Sequence, residues 1–352
     1  MIKTNILNAP TTRTKTPFLE LLRIIASFCV IVNHTSPDVF LTTTPSVDWF
    51  ISLFYFYASK VAVPIFLMIS GYTMLDRQDD YKKSFLRLFR IGCCLLFFSA
   101  VYFVSYYLEG AFERLSIISF FGWILPGPMT NAFWYLYMYL GLLVMMPFLQ
   151  KLVSVMKKED FHVFFLFSGL LYSFWPLVVH YIPKLTYSGY FSMPLFFIEI
   201  ALPFLGCYLK RYSVPSTKGK VIAVVGFLGC CLLNTVLTYF EYHRMGGTDY
   251  LFLDYYQHLP IILESLCVFY FVSTLSIGQR SGKVLVFLGS LTFGIYLISD
   301  LLNKYWKGVF LGLSQLTGSR LLALLPYELL IFIGGGVIAF VLKKIPIIKK
   351  LL

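Results

Sequence analysis

The sequence predicts an all-α fold: a polytopic transmembrane helix bundle of about ten spans with both termini cytoplasmic. Three observations lead there. Of 352 residues, 58% are hydrophobic, 19% aromatic and only 13% charged, with a mean hydropathy of +0.76. A soluble domain carries about 25% charged residues, so this chain lacks the charge to coat a water-exposed globule. Second, the apolar runs are continuous and recur along the whole chain, unlike the alternation of a membrane β-barrel. Third, the basic residues are unevenly placed. With the N-terminus inside, 21 of the 29 Lys and Arg fall in inner segments, six in outer ones and two within spans, as the positive-inside rule requires. Composition thus excludes an ordinary cytosolic enzyme, a disordered chain and a nucleic-acid binder, although the net charge is +12.

The spans follow in order, each near the ~20 residues that cross about 30 Å of hydrocarbon as a helix. The first, 18–37, lacks a small-residue cleavage site and carries Arg23 and His34, so it reads as a retained span rather than a signal peptide. The second, 48–75, closes on Asp76-Arg77-Gln78-Asp79-Asp80. The third and fourth are 88–108 and 132–150. The fifth, 161–181, opens after Lys157-Lys158-Glu159-Asp160, and the sixth, 190–210, closes on Lys210-Arg211. The seventh and eighth are 219–240 and 258–277; the ninth, 284–302, follows Arg280-Ser281-Gly282-Lys283, and the tenth is 321–342. This leaves a cytoplasmic tail at 1–17, one transmembrane domain at 18–342 and a basic tail at 343–352. Seven cysteines all lie in apolar runs with no metal spacing, and the five histidines show none either, so no disulfide framework and no metal site is expected.

Ionisable residues inside spans are costly and usually face the bundle interior. Here they are Glu20, Arg23, His34, Lys60, Glu199, Glu264, Asp300 and Glu328. Arg23 and His34 are eleven residues apart, a rotation of about three turns plus ~20°, so they share one helix face about 16 Å apart along the axis. A cation at the inner mouth and an imidazole deeper in suit an anion site at one end and proton chemistry at the other. A snorkelling Arg and a hydrogen-bonded buried His would look similar in isolation. Lys60 falls mid-span, too deep to snorkel, with Glu199 or Glu264 as structural partners. Asp300 and Glu264 are expected at the depth of His34, so either would orient it as a general-base partner. Lys83, Arg87 and Arg90 form a stripe at the inner face that would hold phosphates, or simply anchor the helix. The aromatic outer loop 239–258 would stack on sugars or form an interfacial belt. Ser70, in Ser70-Gly71, reads as a packing residue at a close helix approach rather than a nucleophile, and Gly334-Gly335-Gly336 as close helix packing.

These residues resemble the integral-membrane acyltransferase family 3. Phe18 through His34 carries its Arg-x10-His pattern, at Arg23 and His34. Lys60-Val61-Ala62-Val63-Pro64 through Ser70-Gly71-Tyr72 is similar to its basic-x-x-VPxFxxxSGY stretch, with Lys60 where many relatives have Arg. Arg87 and Arg90 match a basic cluster, Phe133-Trp134-Tyr135-Leu136 through Pro147 a W-[YF]-L…P segment, and Leu291 through Ile298 an SFGIYLIH motif. Lys344-Ile345-Pro346 also fits, so six motifs run in order over roughly 17–350. That last long motif often ends in His; here Ser299 stands there with Asp300 next, and no role of that His carries over. No serine-esterase stretch follows the bundle, as in the stand-alone members.

The resemblance implies an acyl-CoA-dependent O-acyltransferase of the bacterial plasma membrane. It would move an acyl group, usually acetyl, from cytoplasmic acetyl-CoA to a hydroxyl of a cell-envelope glycan or lipid-linked sugar. Arg23, Arg87, Arg90 and Lys83 would hold the donor, His34 would act as base or acyl carrier, and Lys60 would stabilise the oxyanion. Membrane lipid is the expected surrounding; nucleic acid and metal are not expected. A glycan-precursor transporter or flippase, and a non-catalytic membrane ligand-binding domain, are the competing readings.

Overall fold

The computed structural model describes residues 16–77, 79–111, 114–182, 184–185 and 193–352. The N-terminal tail before Thr16 lies outside the described residues. Helices succeed one another as α1 (Pro17–Thr35), α2 (Pro37–Phe40), α3 (Val47–Ser59), α4 (Ala62–Met74), α5 (Tyr81–Leu108), α6 (Ile117–Ile124), α7 (Trp134–Val155), α8 (Lys158–Gly169) and α9 (Trp175–Tyr181). Then come α10 (Ile198–Tyr212), α11 (Thr217–Arg244), α12 (Leu259–Ser273), α13 (Gln279–Gly289), α14 (Thr292–Tyr305), α15 (Lys307–Thr317), α16 (Arg320–Leu342) and α17 (Pro346–Leu351). Among the described residues there is no strand.

Seven stretches are long and apolar enough to cross a bilayer, and α13 with α14, bent by 49°, makes an eighth if the pair is one span. The ten-span count is therefore met only in part. The expected sixth and eighth spans contain α10 and α12, of 15 residues each, about 22 Å of helix where ~30 Å is needed. The outward faces carry lipid-compatible side chains: Val221, Val225, Leu228 and Leu232 recur along one exposed stripe of α11. The protein is a multi-pass membrane protein.

Two expected spans are broken rather than straight. The second divides at Lys60-Val61, between α3 and α4. Pro64 accounts for this: it has no N–H for the Lys60 carbonyl, and its ring crowds that carbonyl. The ninth bends between Gly289 and Thr292 at a Gly-Ser pair, a common kink site. Both breaks free backbone beside the centre of the bundle. That centre is α1, which packs against α3, α4, α12, α13, α14 and α16.

The tightest crossing is α4 on α10. A Cβ built on Gly71 would lie 1.7 Å from the Pro203 carbonyl oxygen, and one on Gly206 would lie 1.9 Å from that of Met68. The close approach expected at Ser70 falls on its neighbour Gly71, backbone against backbone, while Ser70 Oγ donates to the Phe66 carbonyl at 2.9 Å. A Cβ built on Gly334 would likewise lie 2.5 Å from the Trp306 ring.

Asp76, just past α4, ties the crossing at its end: Lys210 Nζ lies 3.0 Å from Oδ2 and Arg211 Nη2 lies 2.7 Å from Oδ1. Burial opposes the charge of Asp76, but these donors outweigh it and hold the carboxyl below its usual range. A depressed carboxyl adds stability above its unfolded-state value, and that stability is lost as pH falls through the folded value. The melting temperature should therefore decline below about pH 4, with a shallower decline in Asp76→Asn; identical acid slopes for the two proteins would contradict this.

Candidate active site

Among the described residues the bundle encloses a cavity of about 1530 Å3. At the end where α1 begins it is lined by Arg23, Arg77, Arg87 and Arg90. Tyr135, Tyr139 and Tyr296 line its middle, with Tyr135 and Tyr139 stacked at 5.7 Å between ring centroids. His34, Lys60 and the segment from Leu251 to Gln257 line the other end. Five residues expected at a site, Arg23, His34, Lys60, Arg87 and Arg90, thus share one wall system. The shared face of α1 is the reason for two of them. Ser27, between them, is instead buried and donates to the Thr292 carbonyl at 3.3 Å.

At the arginine end Arg23, Arg87 and Arg90 already have oxygen partners. Arg23 Nη1 is 2.6 Å from Glu20 Oε1. Arg87 Nη1 is 2.6 Å from Asp79 Oδ2. Burial raises the cost of charge on Asp79, yet the bond from Arg87 prevails and keeps the carboxyl below the usual range. Arg90 donates to the carbonyls of Leu351 and Leu352 at 3.0 and 3.1 Å. A guanidinium carries five N–H donors, so arginines that spend one or two on these partners keep others for a phosphate-bearing ligand. Lys83 does not join them: it is exposed on α5 and absent from the lining. Its place in the stripe is one turn too early to reach the cavity.

His34 sits in the last turn of α1. Its carbonyl accepts from Asn303 Nδ2 at 3.3 Å, which fixes the backbone without using the ring. The imidazole also lines a second, smaller cavity of about 350 Å3, together with Asp300, Asp38, Tyr102, Tyr106, Asn303, Lys304 and Lys307. Asp300 therefore lies beside His34, within its electrostatic reach, and the Thr130 hydroxyl donates to its carboxylate.

Glu264, the other acid expected there, is elsewhere. It is wholly buried and accepts from Asn234 Nδ2 of α11 at 2.9 Å. Similar depth along the bundle did not place it on the same side. Lys60 pairs with neither Glu199 nor Glu264. Its Nζ lies 3.6 Å from Asp254 Oδ2 and 4.2 Å from the Phe56 ring centre, while Glu199 accepts from Tyr256 and Gln257. The break at Pro64 turns Lys60 toward the 251–257 segment.

Residues that sequence reasoning passed over include Arg77 at the arginine end, Asp254 opposite Lys60, and Thr130 on Asp300. Arg77 and Asp254 were visible only as a boundary charge and as one acid within an aromatic loop.

A family model described as an acyltransferase domain matches residues 16–344, nearly all of the chain. The chain belongs to the acyltransferase 3 family. All the lining residues named above fall inside the matched acyltransferase domain. A curated protein named "Amino-acid racemase", from Enterococcus faecalis, is 24% identical over 226 residues, covering 60% of this chain and 31% of that protein. The match thus spans about a third of that relative's length, and its name is not carried to this acyltransferase-family chain. No solved structure matches it.

Proposed function

We propose that the protein is an O-acyltransferase that takes an acyl group, in the first instance acetyl, from acyl-CoA and transfers it to a hydroxyl of an envelope glycan or lipid-linked sugar. One observation carries the reading: a single cavity joins a four-arginine mouth to His34. The anionic end of CoA suits the arginines, and its long arm suits a passage of this length. His34 accepts the proton of the acceptor hydroxyl as that oxygen attacks the thioester carbonyl. The carbonyl re-forms as the C–S bond breaks, and the thiolate takes up a proton to leave as CoA thiol. Lys60 stands near enough in the lining to favour a developing oxyanion once Asp254 releases it. The positive-inside count supports an arginine mouth on the cytoplasmic side of a bacterial plasma membrane, and α10 and α12 completing ten membrane-embedded segments.

The test uses purified protein with labelled acetyl-CoA. Wild type should bind and turn it over; no binding at all would favour a transporter. Arg23→Ala should raise the KM for acetyl-CoA about tenfold, the loss of one charge-assisted contact of ~1.5 kcal/mol, and leave the acceptor KM within twofold. Equal losses on both substrates would contradict donor binding at this end. Asp300→Asn should lower kcat about tenfold or more and shift the pH profile of kcat/KM, because the neutral amide no longer supports imidazolium. An unchanged profile would remove Asp300 as the positioning residue of His34.

A further inference from the structure

Only His34, among the described residues, lines both cavities. We propose that the two cavities divide the substrates: the donor lies in the large one, and the smaller chamber behind His34 is a binding site for a compact, neutral, hydroxyl-rich acceptor. The inference rests on the transferase reading and adds where the second substrate enters.

Three features argue for it. Volume comes first. At about 350 Å3 the chamber is near the lower end of small-molecule sites, enough for one sugar ring and too small for a whole CoA. Charge is second. The lining carries two carboxylates, Asp38 and Asp300, and two ammonium groups, Lys304 and Lys307. Lys307 stands 3.8 Å from Asp38, and Lys304 pairs with Glu109. The formal charges of the lining cancel, which favours a neutral ligand over an anion or a cation. Chemistry is third. The Asn303 amide and the Tyr102 hydroxyl are engaged within the protein, so the walls offer ring faces of Tyr102 and Tyr106 beside the carboxylate and ammonium groups, and those charged groups accept from and donate to a polyol.

The mouth is marked by Lys307, whose side chain is 64% exposed. It lies at the start of α15, at the same end of the bundle as His34 and opposite Arg23. An acceptor arriving there meets one face of the imidazole while the thioester meets the other. Its hydroxyl then reaches the base without threading past the bound donor. The groups facing His34 are Asp300 from α14 and Lys60 from the α3–α4 junction, with Asp38, Lys304 and Lys307 further round the chamber.

The test uses the full chain in lipid nanodiscs, free of glycosidic detergent, with methyl β-D-glucopyranoside as the probe. Binding is read by saturation-transfer NMR, with glucuronate and glucosamine as charged comparisons. Wild type should bind the neutral probe at least fivefold more tightly than either charged sugar. It should do so equally with and without acetyl-CoA. Lys307→Trp, which plugs the exposed mouth, should weaken probe binding at least tenfold and leave acetyl-CoA binding within twofold. Leu316→Trp, an equally bulky change at an exposed position of α15 outside the lining, should retain the probe within threefold. No probe binding to wild type, unchanged binding in Lys307→Trp, or displacement of the probe by acetyl-CoA would overturn the chamber assignment. Acetyl-CoA turnover on the same samples separates the two readings. Chamber binding without any turnover would reject the transferase, and His34-dependent turnover without chamber binding would reject the acceptor site.

Discussion

His34→Ala should reduce acyl transfer from acetyl-CoA by about 10²–10⁴-fold, the range expected for removing a general base, while acetyl-CoA still binds within about threefold. The split follows from the geometry. Arg23, one of the arginines that would hold the donor, lies about 16 Å along α1 from His34, and the oxygen partners of Arg23, Arg87 and Arg90 do not involve its ring. The substitution should also leave the fold intact. His34 is only partly buried, it faces two cavities, and Asn303 holds its carbonyl rather than its side chain. His34→Gln keeps a hydrogen-bonding group but no titratable nitrogen, so it should be nearly as inactive. Initial rates and equilibrium binding on the same preparations check this. Normal turnover in the alanine variant would remove His34 from the chemistry.

Gly206→Leu and Gly71→Leu should abolish folded protein. At these positions the obstruction is a carbonyl oxygen of the opposing helix, 1.9 Å from a Cβ at Gly206 and 1.7 Å from one at Gly71. No side chain can rotate away, so α4 and α10 must separate. Overpacking a core costs about 1–3 kcal/mol where neighbours can adjust; here the apolar seam of Leu67, Met68, Leu202 and Phe204, all buried, opens as well. Even Gly71→Ala should lower the melting temperature clearly. Gly229→Ala is the control. Nothing lies within 4 Å of its Cβ position in α11, and alanine should gain roughly 0.5–1 kcal/mol of helix preference. Size-exclusion profiles and thermal unfolding of the detergent-solubilised proteins decide. A monodisperse, wild-type-stable Gly206→Leu would refute the close crossing.

These two experiments probe different kinds of legibility. Although the adjacent Gly71 makes it, a close helix approach around Ser70 was readable from small residues in an apolar run. Its partner could not be, because Gly206 stands among ordinary apolar residues and becomes special only where α4 meets it.

The sequence by itself determined the environment, the helical class and the charged face of α1. Hydrocarbon tolerates only backbone satisfied within each segment. A helix repeats every 3.6 residues, so Arg23 and His34 had to share a stripe. The tertiary structure decided which charges meet. It gave Asp300 rather than Glu264 to His34, because the side of the bundle on which α14 and α12 dock against α1 is set by packing. It turned Lys60 to Asp254 because Pro64 breaks the helix there. And it placed His34 in the wall between two cavities, a position that exists only where α1, α14 and the 251–257 segment come together.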